Sequence, residues 1–522
     1  MPRRPASPPS RSGKNKADAP PRRAPRKERR EPAARAEKHS EFRHSVRTEP
    51  DGPRPAHPAH PARTERAVPS RPLPPSPWPQ AEPLFPPLDA DARTALERLP
   101  EALHKVWPLN AAHRRSLPED VAALSRLLTT ERRDLRHPYW SSPAFVSAYL
   151  YYFLPWNLLR LARLLAALPL PDPRALAPAG GEALLLDAGS GPLSLPLALW
   201  LARPEWREAP VRVLALDSAA RPPELGKALF AAWGACLGWK TWPVRTAQGP
   251  LENLARQAAP LLAGRAGAGP CRPWLITAAN VLNELRPGRK TAGGRQTWDE
   301  DGEDPDGSDA GDRQSGPLAE RLDGLLEAFA PLLFRREESC SGGTRAAPAL
   351  LFVEPGTRLG GNTIMRLRAL ALEGGLAALA PCPHNAACPL LSGQGGRTWC
   401  HFTFDSRDAP DWLLRLSTEA GLPKSGLSLA PLLLGPDVEN APVAGQGTGL
   451  PARVLSAPFP VPGLAGRGRY ACTAQGLALL EDAEALASGG LLPVRLAPDA
   501  PRDAKSRARI VRRPRPQPSA KP

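Results

Sequence analysis

The run Leu184-Leu185-Leu186-Asp187-Ala188-Gly189-Ser190-Gly191 constrains this chain more than any other feature. Its apolar part is too short for a helix and reads as a strand buried on both faces. The strand enters a turn with two glycines, which adopt positive φ readily and let the backbone approach a ligand. The same texture then recurs. Val211–Leu216, Pro243–Thr246, Trp274–Ala278 and Ala349–Val353 read as further strands. Helical stretches at Leu193–Ala202, Pro223–Cys236, Leu251–Leu262 and Leu318–Leu333 are interleaved with them. Such alternation builds an open, mostly parallel, doubly wound α/β sheet, which binds ligands at the carboxyl ends of its strands.

Asp187, Gly189 and Gly191 are therefore the first candidates for a cofactor site. Asp217 closes the second strand, where a carboxylate can accept hydrogen bonds from a ribose, and Asn280 ends the fourth. The Asp-x-Gly-x-Gly form resembles class I S-adenosylmethionine-dependent methyltransferases more than dinucleotide enzymes. Leu193 stands where a third glycine is usual. In methyl transfer the cofactor carries the reactive group and the protein supplies proximity and orientation, so no catalytic base is assigned.

Cysteine placement is the second constraint. Three of the seven cysteines, Cys382, Cys388 and Cys400, fall close together, and Cys472 follows in a C-x5-C-x11-C-x71-C pattern. Thiols clustered without a secretory signal read as metal or cluster ligands. The spacing is not that of a zinc ribbon, and it suits an iron–sulfur cluster about as well as zinc. Cys236, Cys271 and Cys340 stand alone and read as small hydrophobes.

The formal charge of +17 lies in the two ends of the chain. Residues 1–71 hold 19 Lys and Arg against 8 Asp and Glu, and residues 501–522 hold 8 against 1. The expected organisation is a disordered basic Pro-rich arm over 1–92 and a helical region over 93–175. A methyltransferase-like domain over 176–380 follows, carrying an acidic disordered insertion over 291–316. A cysteine-cluster domain over 381–500 and a basic disordered tail over 501–522 close the chain. Such arms bind polyanions by counterion release, or simply keep a protein soluble. The longest apolar stretch, Phe145 to Leu159, contains Pro155 and Asn157 and is too short to span a bilayer, so no membrane partner is expected.

Several motifs then occur in a specific order. They are Asp187-Ala188-Gly189-Ser190-Gly191-Pro192, Val281-Leu282-Asn283-Glu284-Leu285 and Val353-Glu354-Pro355-Gly356-Thr357. Pro381-Cys382-Pro383-His384, Cys388-Pro389-Leu390, Trp399-Cys400-His401-Phe402 and Tyr470-Ala471-Cys472-Thr473 follow. Together they resemble the methyltransferase-like family of the small ribosomal subunit, across roughly residues 140–480. The resemblance implies a class I methyltransferase-like fold with S-adenosylmethionine as cofactor. It implies a four-iron four-sulfur cluster on Cys382, Cys388, Cys400 and Cys472. It also implies assembly work on small-subunit rRNA or a ribosomal precursor, without DNA specificity. The location would be the cytoplasm of a bacterium, or the mitochondrial matrix if the source is eukaryotic. The alternatives are a methyltransferase of a small molecule or protein with a structural zinc site, and a non-enzymatic RNA-binding scaffold.

Overall fold

The computed structural model describes residues 77–129, 139–264, 271–285, 289–290, 296–297, 315–334, 347–396, 398–436, 449–455 and 457–514. Most of the expected basic arm, most of the acidic insertion and the last residues of the basic tail lie outside the described residues.

The region before the first strand is helical. It comprises α1 (Ala90–Glu97), α2 (Leu99–Val106), α3 (Ala111–Thr129), α4 (Pro143–Ala148), α5 (Leu154–Ala167) and α6 (Pro173–Leu176). Side chains that satisfy orphan amides set several starts, as Asp89 does for the Ala92 N–H and Ser142 for that of Phe145. A single wide turn, Tyr149–Phe153, joins α4 to α5. Helix α5 packs on α7 (Ser194–Ala202), which is apolar around nearly its whole circumference and buried accordingly.

The first sheet contains β1 (Glu182–Ala188), β2 (Val211–Asp217), β3 (Val244–Gln248), β4 (Cys271–Ala279) and β7 (Ala349–Pro355). It also contains β8 (Leu376–Ala380), β9 (Phe402–Asp405) and β10 (Gly426–Pro436). Their order is β3-β2-β1-β4-β7-β10-β8, with β9 on β10. The strands from β3 to β7 are parallel, and β10 runs antiparallel to β7, β8 and β9. Helices α8 (Arg221–Leu237), α9 (Leu254–Leu262), α10 (Ser315–Leu333) and α11 (Arg358–Glu373) join its strands. Leu184, Leu185 and Leu186 are fully buried. Each contributes about 1.5–3 kcal/mol of burial before entropy is counted. Elsewhere β5 (Arg289–Lys290) and β6 (Gln296–Thr297) make a two-residue ribbon.

The sheet does not end at residue 380, where the sequence suggested a domain boundary. Helix α12 (Asp411–Glu419) leads into β10, which inserts between β7 and β8. Leu429 to Leu434 pair with Pro355 to Leu350. On its other side β10 pairs with β9 through Gly426–Leu429 and with β8 through Leu433–Pro436. Residues 430–432 fall in the gap between those two ladders. Pro431, which has no N–H to donate, sits there, so the break accommodates a proline inside a sheet.

A second sheet follows, built from β11 (Leu450–Val454), β12 (Phe459–Pro460), β13 (Arg467–Thr473), β14 (Gly476–Leu480), β15 (Leu491–Val494) and β16 (Arg509–Val511). Its order is β15-β11-β13-β14-β16, with β12 on β13. Two stretches expected to be disordered are fixed against it. Residues 77–92 form a strap: the Trp78 indole donates to Glu481 O, Glu82 pairs with Leu491, and the Phe85 ring stacks on Phe404 at 4.2 Å. Trp78, Leu84, Phe85 and Leu88 are buried, which explains why a Pro-rich segment with little regular structure before α1 still docks. Residues 501–514 likewise return to the sheet through β16, and Arg512 pairs with Glu481 at 2.9 Å.

Candidate functional site

The glycine turn after β1 is held from three sides. Gly189 and Gly191 have φ of 67° and 49°. A Cβ on Gly189 would lie 2.2 Å from Val281 Cγ1, so only glycine fits there. Leu193 adopts the left-handed region at φ 61° while buried, a conformation unfavourable for a branched side chain, at the position where sequence reading noted a missing glycine. Helix α8 presses on this turn. A Cβ on Gly226 would stand 2.4 Å from the Pro192 carbonyl carbon.

Asp217 does more here than the sequence suggested. Its Oδ2 accepts from the Gly191 N–H at 2.9 Å and its Oδ1 from the Ala219 N–H at 2.9 Å. The carboxylate therefore fastens the glycine turn to the end of β2. It retains further acceptor capacity, since a carboxylate offers about four lone-pair sites. Asp187 points inward instead. It is 1% exposed, and its Oδ1 accepts from the Thr277 hydroxyl at 2.6 Å. Burial pushes its carboxyl up to about 7; the Thr277 hydrogen bond opposes the shift and the charge of Asp217 adds to it.

Asn280, at φ 60°, follows β4 and donates its N–H to Val353 O at 2.8 Å. It precedes Val281, the residue against Gly189, so all five sequence candidates stand at one edge of the sheet. Glu354 at the end of β7 is fully buried and accepts from the Leu282 N–H at 2.9 Å, tying the β4 and β7 ends together. Thr277 escaped the sequence reading, because a threonine inside an apolar strand carries no signal of its own.

The four cysteines do not form a separate unit. Cys382, Cys388 and Cys400 lie in the connection from β8 to β9 of the first sheet, and Cys472 lies on β13 of the second. All four are free and partly buried. They line one cavity with Arg368, His384 and Pro431, enclosing ≈ 420 Å³ with its open mouth included. The cavity thus opens beside the gap that Pro431 leaves in the sheet. Burial raises the Cys382 thiol and raises those of Cys400 and Cys472 well above the ordinary value, with neighbouring cysteines adding to the shift. Among the described residues no group of three or more His, Cys, Asp or Glu is placed to hold a single metal ion.

Two buried arginines frame this cavity, and sequence reasoning missed both. Arg368 on α11 is 3% exposed, and its Nη2 donates to His384 O at 2.8 Å and Ala386 O at 2.9 Å. Its Nε has no hydrogen-bond partner among the described residues. Arg453 on β11 donates to Pro381 O and to Gly489 O, each at 2.8 Å, binding the cysteine loop to the second sheet. His384 Nε2 lies 3.3 Å from Cys472 Sγ, and burial, helped by the Arg368 charge, lowers its imidazole to about 4. His401 turns to Trp399, stacking on that ring and meeting its carbonyl oxygen at 3.1 Å. The Trp399 indole in turn donates to Gly356 O at 3.0 Å, joining the cysteine segment to the end of β7.

Residues 338–417 match the family described as mitochondrial small ribosomal subunit Rsm22. The Rsm22-matched segment includes Glu354, Arg368, Cys382, Cys388 and Cys400, but neither the glycine turn nor Cys472. Solved structures with some likeness include the methyltransferase subunit of a type I restriction-modification system from Streptococcus thermophilus. It is 12% identical over 55% of this chain and 44% of its own, so less than half of that protein is covered, with a TM-score of 0.24. A putative class I S-adenosylmethionine-dependent methyltransferase from Listeria monocytogenes is 8% identical over 67% of this chain and 89% of its own, with a TM-score of 0.22. Overlaps that loose decide nothing about this chain, whose fold rests on its own strand order. No curated protein matches the sequence. Among the described residues, no helix is long and apolar enough to cross a membrane.

Proposed function

We propose that this chain is an Rsm22-type factor of the small ribosomal subunit, with a class I methyltransferase fold, a four-iron four-sulfur cluster and an rRNA or ribosomal-precursor partner. The observation that carries the proposal is the convergence of four thiols on one cavity, three from the Rsm22-matched segment and one from a distant strand. The strand order supports the fold, because an antiparallel β10 inserted beside β7 departs from a simple doubly wound sheet in the way class I methyltransferases do.

The donor set fits the cluster. A single zinc ion with bonds of about 2.3 Å gathers its sulfurs around one point. Here the four thiols line one cavity. Cys382, Cys388, Cys400 and Cys472 would hold the cluster, which supplies a rigid, redox-active cross-link. Metal binding has to remove protons that burial holds on these thiols, so loading should release acid. Arg368 and Arg453 place positive charge beside a group that carries net negative charge with its four thiolates. His384 offers a hydrogen bond at Cys472.

The glycine turn fits S-adenosylmethionine. The cofactor supplies the methyl group; Gly189 and Gly191 let the backbone approach it, and Asp217 keeps acceptor sites for the ribose while holding the turn in shape. Asn280 lies at the same edge.

Iron, sulfide and zinc analysis of protein purified without oxygen tests the centre. About four irons with equal sulfide support the cluster, and one zinc without sulfide overturns it. Crosslinking in cells, followed by sequencing of the attached RNA, tests the partner. A peak on small-subunit rRNA supports the reading, and uniform background refutes it. Calorimetric titration with S-adenosylmethionine tests the cofactor turn on its own.

A further inference from the structure

Arg160 and Lys424 are two cations that meet no carboxylate among the described residues, Lys424 standing over the ring of Trp156 and Arg160 following Trp156 by one turn of α5. Arg160 lies on α5, and neither it nor Lys424 makes a side-chain hydrogen bond or ion pair among the described residues. The Arg160 Nε is fully shielded from solvent without a partner. The Lys424 Nζ stands 5.9 Å from the ring of Tyr152 and 6.0 Å from that of Trp156. Those rings are fixed by their polar ends, through Tyr152 to Leu422 O and Trp156 to Ser417 Oγ. Burial depresses both cations, and the charge of Arg160 depresses Lys424 further. Another arginine of the same helix is met by carboxylates. Arg163, one turn along α5, meets Asp405, Asp408 and three backbone carbonyls. Two like charges held together, partly desolvated and without a carboxylate, are costly unless an anion joins them.

Their location narrows the anion. Lys424 precedes β10 by two residues, and Leu429 of β10 pairs with Pro355, the last residue of β7. Lys424 therefore lies past the carboxyl ends of the parallel strands, the ligand-binding edge of such a sheet. On the adjoining wide turn Tyr149 packs against Trp140 at 4.8 Å, Tyr139 at 5.9 Å and Phe153 at 5.8 Å. Tyr139, Tyr149 and Phe153 are each partly exposed. Cations and partly exposed aromatic rings on one helical segment and the adjoining strand match what single-stranded nucleic acid requires, with charge for the backbone and rings for the bases.

We infer that Arg160 and Lys424 bind a backbone phosphate of single-stranded RNA at the carboxyl edge of the first sheet. The inference rests on the RNA-partner reading above and adds the site at which RNA would meet the folded part of the chain.

The test titrates a labelled single-stranded RNA of about 12 nucleotides, within the range of such sites, against the full chain at several salt concentrations. The proteins are the wild type, Arg160→Met, Lys424→Met, the double variant and Arg160→Lys. Each neutralised phosphate contributes about 0.7 to the slope of log affinity against log salt on single strands. The double variant should lose about 0.7 of slope, and Arg160→Lys should keep it. Thermal melting of the same variants excludes a merely structural role, because removing an uncompensated cation should leave the melting temperature unchanged or higher. RNA binding by the wild type with an unchanged slope in the double variant overturns the site alone. A wild type that binds no RNA overturns the RNA reading and the site together. Loss of affinity for a glutamate-rich peptide, with RNA binding intact, would reassign the pair to an acidic protein and overturn the inference.

Discussion

Replacing Asp187 with asparagine tests the buried carboxyl beneath the glycine turn. The group is 1% exposed and held at about 7, whereas an unfolded chain ionises it near 3.9. Folded protein therefore keeps a proton that unfolded protein has lost. Between those two values stability must fall as pH rises. Integrated from pH 5 to pH 8, the loss is on the order of 2–3 kcal/mol for this one group. Asparagine has nearly the same shape, keeps an oxygen for the Thr277 hydroxyl and does not titrate. The stability of the variant relative to wild type should thus improve by roughly 2–3 kcal/mol across that interval. Taking the difference matters, because His384 slopes the other way. Its folded value is lowered to about 4, so stability rises with pH until the ordinary histidine value is passed. That contribution is common to both proteins and cancels. Urea unfolding followed by tryptophan fluorescence at pH 5, 6, 7 and 8 supplies the measurement. A variant-to-wild-type difference that stays flat across the series would refute the reasoning.

Three further substitutions probe other links. Gly226→Ala drives a methyl into the Pro192 carbonyl and Leu193, and should cost about 1–3 kcal/mol in urea unfolding as an overpacked contact. An unchanged midpoint would mean α8 is free to retreat. Arg368→Met removes positive charge beside the cysteine cavity and should lower the reduction potential of a bound cluster, followed by paramagnetic resonance during redox titration. An identical potential would show that Arg368 only braces the His384 loop. Cys472→Ser should lower iron and sulfide per chain and raise amide exchange across residues 450–513. Exchange that stays at the wild-type level would show that the second sheet needs no cross-link.

Strands β1, β2, β4 and β7 were legible because each is a short apolar run buried on both faces, as with Leu184–Leu186 and Val211–Leu216, and no helix fits so few residues. The four thiols were legible as a set because cysteines are rare here and three crowd one segment. Strand β10 was not legible. Pro431 in its middle argues against a central strand, and only the gap between β8 and β9 removes the objection. The strap at 77–92 was hidden for a related reason, since its prolines mask four buried apolar side chains. Arg368 and Arg453 left no trace in the sequence, because an arginine on an amphipathic helix or short strand ordinarily faces water. Asp217 was legible as a ligand candidate, but its grip on Gly191 depends on three-dimensional closure of the turn.

The division of the cysteines between the two sheets sets an order of events in biosynthesis. Chain synthesis delivers Cys382, Cys388 and Cys400 together, while Cys472 arrives 72 residues after Cys400. Cys472 reaches the cavity only when β13 has paired with β11 and β14, and β11 brings Arg453 to the Pro381 carbonyl. A group held by all four thiols is therefore fully ligated only in a chain whose second sheet has closed. A truncated or misfolded chain presents three sulfurs and an open pocket, so loading of the centre would certify that synthesis and folding are complete.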